Sequence, residues 1–239
     1  MCLAAAGFVD GFSAFLQEGL GHDPGLAPFA EALNSVATDD LARIAPAQVD
    51  HAALRFLNGL RAEAAEHPFC TVGNAAAQQM NWLPVFEGDA IDPVLAKGML
   101  AAQAVGTYGC FDSSTVAVGL FLIAPGVSYP LHTHAAAEVY WTLAGEITLC
   151  HGIEGKPFTL GQGDYSITPP HRVHSLQTGE RPVLLAYLWT GDLFDPIWWW
   201  DEPEAGAWRR TEWRRPPGES FQAIRSETVT PEVMAQAHP

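Results

Sequence analysis

The chain has 239 residues, of which 48% are hydrophobic and 16% charged, so it can bury a substantial core and extended disorder is excluded. Its formal net charge of −15 argues against nucleic acid or an anionic membrane as a partner, because both require a basic surface. No stretch is long and apolar enough to predict a membrane span.

The first third of the chain is predicted to be helical. Apolar residues recur at three- and four-residue steps between Phe8 and Leu20, as one face of an amphipathic helix requires. A second helix is expected at 28–36, and a third at about 50–66 with Asp50 as its N-cap. Together these helices are expected to form an N-terminal segment, residues 1–80, that packs on the rest of the chain.

From Trp82 onward, short β-rich segments alternate with Gly and Pro, a pattern typical of an antiparallel sandwich or barrel. These segments are WLPVF, STVAVGLFLI, EVYWTLAGEITLCHG, FTLGQGDYSITPP, HRVHSLQT and RPVLLAYLWTGD. They predict a mainly β domain over residues 81–215. The remaining residues, 216–239, are expected to form a loosely held tail.

Four polar side chains interrupt the otherwise apolar stretch GVSYPLHTHAAAEVYWTLAGE, and they are His132, His134, Glu138 and Tyr140. A continuous strand would place these even-numbered positions on one face, although a turn at 135–137 could reset the alternation. Burying two imidazoles and a carboxylate is unfavourable unless they are paired, and a divalent metal satisfies this set. His174, downstream, offers a fourth ligand. The alternative is a group of core polar residues that bond only to one another.

The spacing of these residues resembles the two sequence motifs of the cupin family. The first motif, G-x5-H-x-H-x3-E-x6-G, is matched by Gly126, His132, His134, Glu138 and Gly145. The second, G-x5-P-x-G-x2-H-x3-N, is matched by Gly163, Pro169 and His174. It departs from the family at His171, which replaces the second glycine, and at Thr178, which replaces the asparagine.

The resemblance spans roughly residues 110–190 and implies a double-stranded β-helix, the cupin jelly roll, with an N-terminal helical segment. It also implies one divalent transition metal per chain, Fe²⁺, Mn²⁺, Zn²⁺, Co²⁺ or Ni²⁺. The implied metal ligands are His132, His134, Glu138 and His174. His171 is expected to cap a turn or line the mouth of the site instead of binding metal.

A narrower pattern, Y-x2-H-x-H-x3-E-x-Y, resembles the cupin-type lyases of dimethylsulfoniopropionate (DMSP), and the helical start favours the DddL-like branch. The resemblance implies cleavage of this zwitterion to dimethyl sulfide and acrylate. Tyr140 would be the catalytic base, and Tyr129 a second catalytic and substrate-binding residue. From the residues alone, Tyr140 is equally well explained as a buried aromatic side chain whose hydroxyl finds a hydrogen-bond partner.

Aromatic side chains are candidates for binding the sulfonium end of such a substrate, because aromatic faces attract cations. Six of the eight tryptophans lie between residues 189 and 213. Most of them are expected to pack the helical segment against the barrel or to form a homodimer interface. Trp189, Tyr187 and Tyr108 are the candidate substrate-binding residues.

Two other functions would use the same four ligands. One is an Fe²⁺ dioxygenase acting on a small organic acid or thiol, and the other is a small-molecule-sensing cupin without turnover. The absence of Lys and Arg before Arg43 argues against a DNA-reading segment and against a signal peptide. The four cysteines lack CxxC spacing and are expected to be reduced thiols in a cytoplasmic protein.

Overall fold

The computed structural model describes residues 2–36, 47–63, 67–216 and 221–238. Its helices are α1 (Cys2–Gly19), α2 (Ala27–Asn34), α3 (Leu57–Glu63), α4 (Pro68–Gln79), α5 (Pro93–Gly98) and α6 (Pro231–Ala237). Its strands are β1 (Leu83–Pro84), β2 (Met99–Val105), β3 (Val116–Ile123), β4 (Ser128–Thr133), β5 (Ala137–Gly145), β6 (Ile147–His151), β7 (Phe158–Leu160), β8 (Tyr165–Thr168), β9 (His174–Gln177), β10 (Val183–Thr190), β11 (Ile197–Glu204), β12 (Ala207–Arg214) and β13 (Gln222–Thr228).

The strands form two antiparallel sheets that face each other. One sheet has the order β1-β2-β3-β10-β5-β8, and the other has the order β13-β12-β11-β4-β9-β6-β7. Neighbours in space are distant in sequence, as in β10 between β3 and β5, which is the arrangement of a two-sheet jelly roll. The prediction of a mainly β cupin barrel with helices before it is confirmed.

Strand β5 separates the helical layer from the barrel interior. Val139, Trp141 and Leu143 join the apolar core that the helices share with the first sheet, whereas Tyr140 joins the core between the two sheets. The Phe15 ring of α1 lies 3.8 Å from the Trp141 ring, measured between centroids. The alternation of side chains along a strand therefore places the odd positions against the helices and the even positions in the barrel.

The third predicted helix is shorter and begins differently from the expectation. A 3-10 turn at Ala52–Phe56 precedes α3, and its N-cap is His51, not Asp50: the His51 Nδ1 accepts the Ala53 N–H at 3.2 Å. The end of the predicted helix, residues 64–66, lies outside the described residues. Helix α4 was not predicted, although Pro68 at its first position is favourable for starting a helix.

The predicted tail after Pro216 is instead structured where the chain is described. Strand β13 pairs with β12, and α6 buries Ala237 against Val173 and Trp198. Ion pairs link the strands, with Arg225 Nε 2.7 Å from a carboxylate oxygen of Glu212. Charged side chains of β12 and β13 face solvent. These two strands therefore lack the pattern of apolar residues from which the other strands are predicted. The division of the chain at residues 80 and 215 stays a prediction.

Two motif positions fix the turns that flank the strands carrying the candidate metal ligands. Gly145 has φ of 80°, and a Cβ built there would lie 2.2 Å from the Pro182 carbonyl oxygen, so only glycine fits. Thr178, at the position of the family asparagine, donates from Oγ1 to the Ala124 carbonyl at 2.7 Å and accepts the Val127 N–H at 3.0 Å. It therefore closes the turn between β3 and β4.

Candidate metal centre and active site

The predicted metal-binding side chains converge between the two sheets. In the second sheet, His132 on β4 is paired in register with His174 on β9, and His134 follows β4 directly. Glu138 enters from β5 of the first sheet. All four side chains are buried, at 3% exposure or less. The bend at 135–136 connects the two sheets and leaves His134 and Glu138 facing each other.

Backbone carbonyls orient the three imidazoles. The Nδ1 atoms of His132, His134 and His174 lie 2.8, 2.9 and 2.9 Å from the carbonyl oxygens of the residues Pro130, Ala136 and Arg172. A carbonyl can only accept a hydrogen bond, so each Nδ1 carries the proton and each Nε2 keeps its lone pair. The ligand atoms of the three histidines lie within 4.8 Å of one another. This geometry could hold a metal ion.

Glu138 completes the cluster. Its Oε2 lies 3.5 Å from the His134 Nε2, and its Oε1 lies 3.6 Å from the His174 Nε2. Within the described chain, neither carboxylate oxygen and none of the three Nε2 atoms has a hydrogen-bond partner, although all are buried. Buried polar atoms without partners are rare, and five that converge fit a divalent cation.

The electrostatics favour the metal-binding protonation states. Burial and then the neighbouring His134 lower the pKa of His132 to about 3, and burial holds the pKa of His174 well below its usual value. Burial alone would raise the pKa of Glu138, but His134 and His174 hold it below its ordinary value. These shifts favour the neutral imidazole of His132 and of His174 and the ionised carboxylate of Glu138, which are the ligand forms that metals bind.

Two tyrosines border the cluster. Tyr140 lies two residues beyond Glu138 on β5, and the Tyr129 ring stacks on His132 at a centroid distance of 3.8 Å. Both hydroxyls are buried and lack a hydrogen-bond partner of standard geometry among the described residues. Burial, and then the charge of Glu138, raises the pKa of Tyr140 well above its ordinary value, so in the metal-free protein it is a neutral phenol.

The predicted substrate-binding residues Tyr108, Tyr187 and Trp189 all line a cavity of about 220 Å³. Tyr129 and Tyr140 are not part of its lining, but the Phe121 ring, which is, lies 5.9 Å from the Tyr140 ring between centroids. Tyr187 is paired in register with Tyr140, and its ring stacks on Phe121 at 4.1 Å. Trp189 stacks on His134 at 4.4 Å. Tyr108 is 44% exposed and lies at the outer end of the cavity.

Three further residues near the site were not predicted. Phe121 and Gln103 line the cavity, and the Gln103 side-chain amide donates to the Tyr187 hydroxyl at 3.3 Å. Trp199 contacts Tyr129 at a centroid distance of 5.9 Å. The concentration of tryptophans after residue 189 indicated such a contact, but no local pattern shows which tryptophan faces the barrel.

His171 lies outside the group of three histidines that could hold a metal ion. Its backbone N–H donates to the His134 carbonyl at 2.8 Å, and its φ of 62° is the left-handed conformation that the family glycine adopts readily. Its imidazole lines a different cavity, of about 230 Å³, with Asp195 and Arg210. His171 thus supports the loop that carries His134 without joining the three-histidine cluster.

Within the described residues, no helix is long and apolar enough to cross a membrane. None of the four cysteines, all of which lie within the described residues, forms a disulfide.

The comparisons with known proteins agree on one family. A family model described as dimethylsulfoniopropionate lyase matches residues 63–185, just over half of the chain. The DMSP lyase DddQ of Ruegeria pomeroyi is 32% identical over 120 residues, covering 50% of this chain and 59% of DddQ. DddL of Cereibacter sphaeroides, named provisionally as a DMSP lyase, is 29% identical over 103 residues, covering 42% of each protein.

The chain spans about half the length of the curated relatives it matches. These two identities do not separate the branches, so the DddL-like assignment stays a prediction. The crystal structure of R. pomeroyi DddQ shares the fold, with a TM-score of 0.63 at 23% identity, over 80% of this chain and 95% of that one. The matched region carries β4, β5 and β9 and thus every residue of the candidate metal centre, and the chain belongs to the dimethylsulfoniopropionate lyase family of cupin proteins.

Proposed function

We propose that the protein is a metal-dependent carbon–sulfur lyase that cleaves DMSP to dimethyl sulfide and acrylate by β-elimination. The observation that carries this proposal is the buried Tyr140 hydroxyl beside a converging set of unpartnered imidazole and carboxylate atoms. Membership of the DMSP lyase family, together with its relatives' names, supplies the substrate.

The proposed ligands of the metal are His132, His134, His174 and Glu138. A divalent cation bound there would act as a Lewis acid on the substrate carboxylate and so acidify the adjacent C2–H bond. The set of imidazole nitrogens and one carboxylate suits Fe²⁺, Mn²⁺, Co²⁺, Ni²⁺ or Zn²⁺ alike.

Tyr140 is the proposed base. Its phenolate oxygen would take a proton from C2 of DMSP, the C2–H electrons would form the C2=C3 double bond, and the C3–S bond would break. Dimethyl sulfide leaves as a neutral molecule, acrylate keeps the carboxylate, and the proton remains on Tyr140 until it passes to solvent. Positive charge at the cluster favours the phenolate, which opposes the effects of burial and Glu138 on the pKa of Tyr140.

The aromatic cavity is the proposed place of the dimethylsulfonium group. Tyr187, Trp189, Phe121 and the exposed Tyr108 all line it. A cation in contact with such a ring gains about 0.5–2 kcal/mol. Tyr129, stacked on His132, is proposed to touch the opposite end of the substrate.

Headspace detection of dimethyl sulfide tests the proposal directly. Purified protein loaded with each candidate metal is given DMSP, and metal-stripped protein is the control. Release that depends on metal and continues without oxygen supports the lyase, whereas release that stops without oxygen would indicate a dioxygenase. Binding of DMSP with no product under any metal would indicate a sensor. The cytoplasmic location and the homodimer stay predictions, tested by cell fractionation and light scattering.

A further inference from the structure

Trp199 reaches the metal centre from outside the region that matches the family. It lies on β11, which follows the matched residues 63–185, and it is paired in register with His132 on β4. Its ring packs against Trp213 at 4.5 Å and Phe86 at 5.6 Å, measured between centroids. Its indole nitrogen is buried and has no hydrogen-bond partner in the described part of the chain.

The Tyr129 hydroxyl is in the same situation. It is buried without a partner of standard geometry, and its ring lies against His132. The Trp199 ring lies edge-on to the Tyr129 ring, with 5.9 Å between the ring centroids. A buried indole N–H and a buried phenol hydroxyl, each without a partner of standard geometry, therefore belong to neighbouring rings beside the proposed metal ligand His132.

An indole N–H can only donate, and the neutral phenol has a proton to donate. Leaving such groups buried and unpaired is unfavourable by about 1–3 kcal/mol each, so a ligand that supplies an acceptor there is favoured. DMSP has acceptor atoms only in its carboxylate, since the sulfonium has no hydrogen-bonding oxygen or nitrogen. The two donors therefore match one end of the substrate and not the other.

We propose that Trp199 is a substrate-binding residue, and that its N–H and the Tyr129 O–H together bind a carboxylate oxygen of the substrate. The identity of the substrate rests on the proposed function. This placement orients the molecule, because the sulfonium then extends toward the cavity lined by Tyr187 and Trp189.

The second tryptophan–tyrosine pair, Trp189 and Tyr140, also has a buried indole N–H and a buried hydroxyl without partners of standard geometry among the described residues. Both members already have a place in the proposed function. Tyr140 is the base that acts at C2, and Trp189 lines the cavity proposed for the sulfonium. The carboxylate is therefore assigned to the Tyr129–Trp199 pair.

The test uses Trp199→Phe, which removes the N–H and keeps an aromatic ring. The matched control is Trp213→Phe, because Trp213 belongs to the same aromatic cluster and its nitrogen is not among the buried unpartnered atoms. Calorimetric titration of the metal-loaded proteins measures the affinity for acrylate, which has only the carboxylate, and for trimethylsulfonium, which has only the cation.

Trp199→Phe is expected to weaken acrylate binding about 10-fold or more, the effect of one hydrogen bond to a charged group, and to leave trimethylsulfonium binding unchanged. Trp213→Phe is expected to change neither. In Tyr129→Phe, adding Trp199→Phe should weaken acrylate binding by a smaller factor, because the two donors share one acceptor. Equal acrylate affinity in the wild type and Trp199→Phe, or no acrylate binding to the wild type, would overturn the inference.

Turnover separates this inference from the proposed function. In a protein that releases dimethyl sulfide, Trp199→Phe should raise KM for DMSP about 10-fold or more and Trp213→Phe should not. If the wild type releases dimethyl sulfide while its acrylate affinity does not depend on Trp199, only the inference fails. If acrylate binding depends on Trp199 but no metal supports dimethyl sulfide release, only the proposed function fails.

Discussion

The side chains of the metal centre owe their chemistry to backbone atoms two residues away. Each of the three histidines presents Nε2 because its Nδ1 faces the carbonyl of a residue at position −2 or +2. That local bond selects the tautomer and limits rotation of the ring. The metal-binding form is consequently built into the strand ends and does not depend on the ion for its orientation.

Replacing Tyr140 with phenylalanine tests the base. The change removes the hydroxyl and keeps the ring, so dimethyl sulfide release should fall about 100-fold or more while metal content and folding are retained. The matched control is Tyr165→Phe, whose hydroxyl donates to Asp23 on the outer surface at 2.8 Å. Headspace gas chromatography and metal analysis provide the readouts, and a Tyr140→Phe enzyme with wild-type turnover would refute the assignment.

Because His132 is buried as a neutral imidazole, we expect the metal-free protein to lose stability in acid. The folded protein holds the pKa of His132 at about 3, against 6.5 for an unperturbed imidazole, so the unfolded chain takes up a proton first. The free energy of unfolding of the metal-free protein should therefore fall as the pH drops below 6.5, by about 2 kcal/mol at pH 5 from this residue alone.

Urea titrations of metal-stripped protein at pH 7 and pH 5 measure this loss. The comparison is His132→Asn, which has no titrating imidazole at that position. The two proteins should differ in the size of the decrease between the two pH values, and an equal decrease would show that His132 is protonated in the folded state.

At the level of elements, the cluster residues could be predicted because each lies in a recognisable sequence motif, including His174 on the distant strand β9, whereas a residue outside the motifs that strand pairing brings to the site could not. His132, His134 and Glu138 follow a local motif spacing, so their convergence could be predicted together with the barrel. Trp199 could not be selected, because only the pairing of β11 with β4 brings it to the site. The strand β12 was missed because its exposed charges replace the apolar alternation of a half-buried strand.

Gly145 tests whether a motif glycine is needed to end β5. Gly145→Ala introduces a Cβ at a φ of 80° and 2.2 Å from the Pro182 carbonyl oxygen, so the free energy of unfolding should fall by about 2 kcal/mol or more. Gly179→Ala is the control, since a Cβ there meets no atom within 4 Å. Denaturant titration compares the two, and similar midpoints would contradict the strain argument.

At the scale of the whole molecule, a bound metal should raise the free energy of unfolding. A ligand that binds only the folded state stabilises it by about 2.7 kcal/mol at a concentration 100 times its dissociation constant. Removal of the metal with a chelator should therefore lower the melting temperature of the wild type. His174→Ala should abolish this difference, whereas His171→Ala should preserve it, because the His171 side chain lies in another cavity. Differential scanning calorimetry with and without chelator measures this difference in melting temperature for the wild type and both variants.

The cluster draws its members from both layers of the barrel, His132 and His174 from one sheet and Glu138 from the other. An ion held by all three is a cross-link between layers that otherwise meet through apolar side chains and connecting turns. With the ion in place, amide protons on β5 and β9 should exchange with deuterium in one cooperative opening. Without the ion, the amide protons of the two layers should exchange at separate rates. The metal proposed to activate the substrate would then also determine whether the two sheets unfold together.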